Sequence, residues 1–337
     1  MTGSPRPLVD NFNRRVRDLR ISVTDRCNFR CTYCMPEKGL AWLPRPEVLT
    51  FEEITRFATV CASTFGVNSL RLTGGEPTVR ANLPDLVASL AQIRDAETGE
   101  PIDLAMTTNG ATLRKLAPEL REAGLRRINI SLDTLDHERF IALTRRDQLT
   151  QVLDGIEAAI EAGFHPIKLN AVAMRGVNDD ELVDLAAYAR DRGLVLRLIE
   201  YMPLDADGNW SDVQVLTADE IVAKITSRFP ATEISRTTDP ATRYVYEDGK
   251  GELGVIASVT KAFCDTCDRI RLTADGKIRT CLFALDEHDV KALMRSGADD
   301  TALAAAIERA VGTKWAGHSI SNVNFIRPNR SMSQIGG

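Results

Sequence analysis

The sequence predicts an α/β fold: an incomplete, TIM-like (β/α)6 barrel followed by a mixed α+β domain that closes it. Three observations carry this. From residue 19 to about 202, short apolar strand-like runs alternate with amphipathic helix-like runs, the pattern of parallel strands joined by right-handed crossovers. Start and stop signals punctuate the helical runs. Beyond residue 203 the alternation gives way to shorter strands and a hairpin, and 337 residues suit two domains, 1–202 and 203–337. A doubly wound sheet is the alternative arrangement of the same units.

The first six strands are LRISVT (19–24), SLRLT (69–73), IDLAMT (102–107), RINISL (127–132), PIKLNAVAM (166–174) and VLRLIEYM (195–202). Thr50 and Glu53 spell a capping box ahead of Ile54, Phe57, Cys61 and Phe65, which places Cys61 on a core-facing stripe. Gly124, Gly163 and Gly193 each follow a helical run, where a left-handed residue ends a helix. In the second domain Thr217 and Glu220 cap a helix over about 218–229, and TRYVY (242–246) and LGVIAS (253–258) read as strands. RIRLT-ADG-KIRTC reads as a hairpin turning at Asp275-Gly276. Helical runs over about 286–296, which includes His288, and 299–311 precede a polar tail ending Gly336-Gly337.

Composition narrows the function classes. With 44% hydrophobic and 26% charged residues the chain is globular rather than disordered. A net charge of −5 gives no global basic field for nucleic acid or acidic lipid. No apolar run approaches the ~20 residues of a membrane span, and the start lacks the apolar core of an export signal. The expectation is a cytoplasmic chain with no nucleic-acid or membrane partner.

Seven cysteines, an odd number in a chain of this size, argue against a disulfide framework. Six form two trios: Cys27, Cys31 and Cys34 in the loop after the first strand, and Cys264, Cys267 and Cys281 around the hairpin. Thiolates are soft ligands for zinc and iron–sulfur centres. A structural zinc site takes four ligands, and the segment from Thr24 to Lys38 offers no His to complete one. Three cysteines suit a 4Fe–4S cluster with one iron open to substrate or cofactor. Zinc with a distant fourth ligand remains the alternative for both trios, and a redox CxxC for the second. His137, His165 and His318 show no partner pattern and read as surface or structural.

Positive charges sit inside the strands. Arg20, Arg71, Lys168, Arg197, Arg269 and Arg271 are each flanked by apolar residues, and alternation puts Arg269 with Arg271 on one face. Convergent cations on a lumen-facing surface point to a polyanion such as a triphosphate, with ion pairing to carboxylates as the plainer explanation. The cysteine loop, Gly74-Gly75-Glu76-Pro77, Thr107–Gly110, Ser131–Asp133 and Glu200–Met202 all fall at C-terminal strand ends, where parallel barrels carry their sites.

CNFRCTYC after the first strand, with Thr73-Gly74-Gly75-Glu76-Pro77 after the second, resembles the radical S-adenosylmethionine (SAM) enzymes over about 19–202. DLRISVTDRCNFRCTYCMP, RLTGGEP, GLRRINISLD, FCDTCDRIRLTADGK and the terminal Gly-Gly are similar, more narrowly, to the GTP 3′,8-cyclases of molybdenum-cofactor biosynthesis. The resemblance implies two 4Fe–4S clusters, the first binding and reducing SAM, the second holding the guanine of GTP at its open iron. It implies SAM contacts for Tyr33, Gly75, Glu76, Ser131 and Met202. GTP contacts are implied for Arg20, Arg71, Thr107, Lys168, Arg269, Ile270 and Arg271, with Arg197 as the candidate catalytic residue near the reacting atoms. The tail would reach into the site. Implied partners are a second copy in a homodimer, a low-potential donor of flavodoxin or ferredoxin type, and a downstream cyclic pyranopterin monophosphate synthase.

Overall fold

The computed structural model describes residues 5–205, 207–208, 210–234, 239–318, 320 and 325–336. In chain order the elements are β1 (Asp18–Ser22), α1 (Phe51–Phe65), β2 (Ser69–Thr73), α2 (Leu83–Ala91), β3 (Asp103–Thr108), α3 (Leu113–Glu122) and β4 (Arg127–Ser131). They continue with α4 (His137–Thr144), α5 (Leu149–Glu161), β5 (Ile167–Ala173), α6 (Leu182–Asp191), β6 (Val195–Glu200) and α7 (Ala218–Thr226). The C-terminal part adds β7 (Ala231–Ile234), β8 (Thr242–Tyr246), β9 (Glu252–Ile256), β10 (Arg269–Leu272), β11 (Lys277–Arg279) and β12 (His288–Asp289). Last come α8 (Lys291–Arg295), α9 (Asp300–Val311) and α10 (Met332–Ile335).

All twelve strands lie in one sheet, ordered β12-β11-β10-β1-β2-β3-β4-β5-β6-β9-β8-β7. Strands β1 to β6 are parallel and adjacent in sequence order, as the strand–helix alternation requires. The C-terminal strands extend both edges. β10 pairs parallel to β1 and β9 pairs parallel to β6, each followed outward by an antiparallel neighbour. Alternation divides the strand residues between two faces. Leu19, Ile21, Leu70, Leu72, Ile128, Leu169, Leu198 and Ile270 are fully buried under the helices. Each such side chain contributes about 1.5–3 kcal/mol of apolar burial. Their neighbours in sequence, many of them charged, face the other way.

The caps are formed as the sequence predicts. Thr50 accepts from the Glu53 amide while the Glu53 carboxylate accepts from the Thr50 amide, and Thr217 with Glu220 repeats this ahead of α7. Gly124, Gly163 and Gly193 all hold positive φ after their helices. Three expectations change. The run over 286–296 is helical only at Lys291–Arg295, because His288 and Asp289 pair with β11 and commit their backbone groups to the sheet. His288 therefore sits in a strand, its ring against the Thr313 hydroxyl at 3.0 Å. The fourth strand–helix unit carries two helices, with Arg145 in the left-handed conformation ending α4. Strand β7 is an addition. No helix among the described residues is long and apolar enough to cross a membrane.

Candidate active site

The charged face of the sheet encloses a cavity of about 670 Å³, and both cysteine trios line it. So do Arg20, Arg71, Lys168, Arg197, Arg269 and Arg271, together with Tyr33, Gly75, Glu76, Thr107, Ser131 and Met202. One predicted residue does not. Ile270 points its side chain into the core, fully buried, since it alternates with Arg269 and Arg271. Only its backbone is left to meet a ligand.

The first trio sits where two loops are stitched together. The Gly75 amide donates to the Thr24 carbonyl and the Glu76 amide to the Arg26 carbonyl, both at 2.8 Å. A Cβ on Gly74 would meet the Thr24 oxygen at 2.5 Å, and one on Gly75 would collide with the Arg26 carbonyl. These glycines are thus needed for the approach of the cysteine loop itself. The buried Glu76 carboxylate accepts from the Thr78 amide and hydroxyl, the Thr108 hydroxyl and the Asn109 amide at 2.6–3.0 Å. It fastens the end of β2 to the end of β3. Burial raises its pKa despite those bonds, which a nearby ammonium would reverse.

Burial also pushes the thiols up, Cys27 to about 11 and Cys34 to about 12. Cys31 is raised by burial, then by Cys34 and Asp133. Iron would supply the compensating charge that thiolates here need. The Phe29 amide donates to the Cys27 sulfur at 3.3 Å. The Tyr33 hydroxyl donates to Asp133 at 2.6 Å, and Asp133 also accepts from the Val172 amide. Asp136, not Asp133, caps α4. Met202 packs against the cluster of Leu204, Phe283 and Ile320.

The second trio is gripped by cations. Arg269 and Lys314 each approach the Cys267 sulfur at 3.6 Å. Burial opposes ionisation of Cys267, but Arg269 and Lys314 outweigh it and bring the thiol down to about 7. Buried Arg14 pairs with Asp10 at 2.6 Å and donates to the carbonyls of Cys264, Trp315 and Ala316, locking the two halves of this region together. His318, read as surface or structural from sequence, lines the cavity with its ring on Phe283. Among the described residues no three His, Cys, Asp or Glu side chains converge as ligands of a single ion.

Between the trios the register builds a cationic row. Arg271 lies opposite Arg20, and Arg20 opposite Arg71. Like charges on neighbouring strands are unfavourable. Arg271 is lowered to about 10 by burial and by Arg269, and Arg20 is lowered by burial and then by Arg271 and Arg269. The Nε atoms of Arg20 and Arg71 are buried without a protein partner. Asp18 reaches Arg71 only at 3.6 Å. Such a surface suits a ligand with several anionic oxygens. Further along, Arg197 pairs with Asp239 at 2.5 Å, with Lys168 at 3.9 Å from the same carboxylate. Sequence reasoning missed Asp239, and also Arg127, which lines the cavity beside Asp103. Arg127 begins RINIS with the inward phase of Asn129 and Ser131, a signal that was readable; Asp239 lies in a connecting segment and gave none.

The tail enters the cavity. Ser331 and Gln334 form a capping box for α10, Met332 and Ser333 line the site, and Arg271 donates to the Gly336 carbonyl. Gly336 has φ +70° and packs where a Cβ would meet the Thr73 hydroxyl at 2.5 Å. Gly337 lies outside the described residues.

A parallel sheet with a three-cysteine loop after β1, a glycine–glutamate loop after β2 and a charged lumen defines a radical SAM enzyme. The radical SAM superfamily model matches residues 21–189, and the Molybdenum Cofactor Synthesis C model matches residues 194–320. The fold is similar to that of SuiB from Streptococcus suis, solved bound to S-adenosylmethionine. The TM-score is 0.58 at 16% identity, covering 88% of this chain and 69% of that one. A relative in Rhodopirellula baltica named GTP 3′,8-cyclase is 48% identical, covering 99% of this chain and 93% of its own. Relatives of the same name in Corynebacterium glutamicum and Streptomyces coelicolor are 47% and 46% identical over 98% of this chain and 90% and 96% of theirs. The chain belongs to the GTP 3′,8-cyclase family.

Proposed function

We propose that this chain converts GTP to (8S)-3′,8-cyclo-7,8-dihydroguanosine 5′-triphosphate, with SAM cleaved to 5′-deoxyadenosine and methionine, as an early step of molybdenum-cofactor biosynthesis. The observation that carries the reading is the placement of two cysteine trios on one cavity with the row Arg271–Arg20–Arg71 between them. One-electron cleavage of SAM is the chemistry that a 4Fe–4S cluster on Cys27, Cys31 and Cys34 supplies. The remaining work belongs to the chain.

Arg20, Arg71 and Arg271 clamp the triphosphate, assisted by Lys168 and Arg269. Thr107 and the backbone of Ile270 line the substrate's path. Tyr33, Gly75, Ser131 and Met202 shape the SAM end, and Glu76 meets the SAM ammonium while holding its loop. Arg197, kept in place by Asp239, faces the reacting ribose and base. Cys264, Cys267 and Cys281 would hold a second 4Fe–4S cluster, which would supply a binding site for the guanine end of GTP. Enclosing both substrates in one protected cavity supplies proximity and keeps water from the reactive centre. In sequence the two domains divide between 202 and 203, within one continuous sheet, and the protein works in the cytoplasm as a homodimer. A low-potential flavodoxin or ferredoxin supplies electrons, and a cyclic pyranopterin monophosphate synthase consumes the product.

The test is anaerobic incubation of the iron-reconstituted protein with dithionite, SAM and GTP labelled at C3′. Formation of 5′-deoxyadenosine that requires GTP and carries the label is expected. Formation at the same rate without GTP, and without label transfer, overturns the substrate assignment.

A further inference from the structure

We propose that Lys314 is a positioning residue for the second cysteine trio, whose ammonium, bound to the Cys267 sulfur, holds an iron–sulfur centre there at a higher reduction potential than one on the first trio. The inference rests on the reading of two clusters. Lys314 follows α9 and is 4% exposed. Its Nζ donates to the carbonyls of Cys267 at 2.9 Å and Arg269 at 2.8 Å, and to the Cys267 sulfur at 3.6 Å. Three acceptors match the three donors of an ammonium, so the charged form is fully satisfied. Among the described residues no carboxylate lies within ion-pair distance of it. Stapling two carbonyls needs only a neutral donor, and burying a full positive charge is unfavourable unless an anion faces it. The anionic group bonded to it here is a cluster ligand, the Cys267 sulfur, with Asp10 acting from farther away.

The first trio is built oppositely. Its sulfur hydrogen bond comes from the neutral Phe29 amide, and among the described residues no Lys or Arg side chain bonds to the sulfur of Cys27, Cys31 or Cys34; Arg30 reaches only the Cys27 carbonyl, at 2.7 Å. The buried carboxylates Glu76 and Asp133 share that end of the cavity. Net charge and hydrogen bonds to sulfur set cluster potentials, and a fixed cation favours the more negative, reduced state. An electron is therefore harder to place on the first centre, the one that must reduce a sulfonium, and easier to hold on the second.

The experiment uses the full chain carrying Cys27→Ala, Cys31→Ala and Cys34→Ala, so that only the second centre is read by redox titration followed by electron paramagnetic resonance. A matching chain with Cys264→Ala, Cys267→Ala and Cys281→Ala reports the first. The second centre should titrate at the higher potential. Lys314→Gln should shift it downward and leave the first unmoved, while Lys314→Arg should restore it. An unshifted potential in Lys314→Gln overturns the proposal, as does an equal fall in both variants, which would mean loop distortion rather than charge. If Lys314→Gln fails to retain iron, Lys314→Arg decides: an unchanged potential there supports the role of charge and a fall overturns it. Failure of the parent chain to bind iron at the second trio would instead remove the two-cluster reading itself.

Discussion

Lys168 shows how one residue's environment sets a measurable pH dependence. Its amine, drawn down to about 8 by burial and then by the neighbouring Arg197 charge, is poised to lose its proton in the ligand-free protein. A triphosphate on this face would favour the charged form, so binding takes up a proton once the pH exceeds about 8. GTP affinity should then fall as pH rises through 8, by at most about tenfold per pH unit from this one group. Stability of the ligand-free chain runs the other way. The folded value lies below the ordinary 10.5, so between about 8 and 10.5 the unfolded chain holds more protons at this site and stability rises with pH. Isothermal titration of GTP across this range should show the decline for the unsubstituted chain and a flatter profile for Lys168→Arg. An equally steep profile in Lys168→Met would assign the effect to another group.

At the scale of elements, the loops after β1 and β2 behave as one unit. The virtual Cβ on Gly75 meets a backbone carbonyl that no side-chain rotation can move aside. Gly75→Ala should therefore displace the Cys27–Cys34 loop, and about half the iron bound by the unsubstituted chain should be lost while the second trio keeps its share. Iron analysis after identical reconstitution checks this; full iron content would show that the stitch between the loops is dispensable. The same pair of loops marks what was legible in the sequence. CNFRCTYC and TGGEP are local, and their position after apolar runs announced both strand ends. The inward phase of Arg20 and Arg71 was equally local. What brings Arg271 beside Arg20 is the pairing of β10 with β1, a contact between segments some 250 residues apart that no periodicity encodes. Lys314 and Asp239 act through tertiary placement alone. The short strand at His288 went unread because two residues carry too little pattern to separate a sheet edge from a helix start.

For the whole molecule, the sheet runs straight through the boundary drawn at 202. β10 covers the free edge of β1, and β9 covers that of β6. A chain ending at 202 would present both edges as rows of unpaired backbone donors and acceptors, flanked by apolar residues, which is a template for intermolecular pairing. It would also lose the Arg14 contacts to the Cys264 and Trp315–Ala316 backbone that tie the first residues to the last part of the fold. The two family models, meeting near residue 190, thus describe segments that share one structural unit. Residues 1–202 produced alone should form oligomers or aggregates rather than a monomer with a cooperative melt. The full chain, anaerobically reconstituted, should unfold in one calorimetric transition, because neither half retains a closed set of strand pairings once the other is lost. A soluble, monomeric 1–202 fragment that melts cooperatively would show that β1 and β6 are protected by something other than β10 and β9. Two separate transitions in the full chain would place the cooperative boundary at the sheet edges instead of across them.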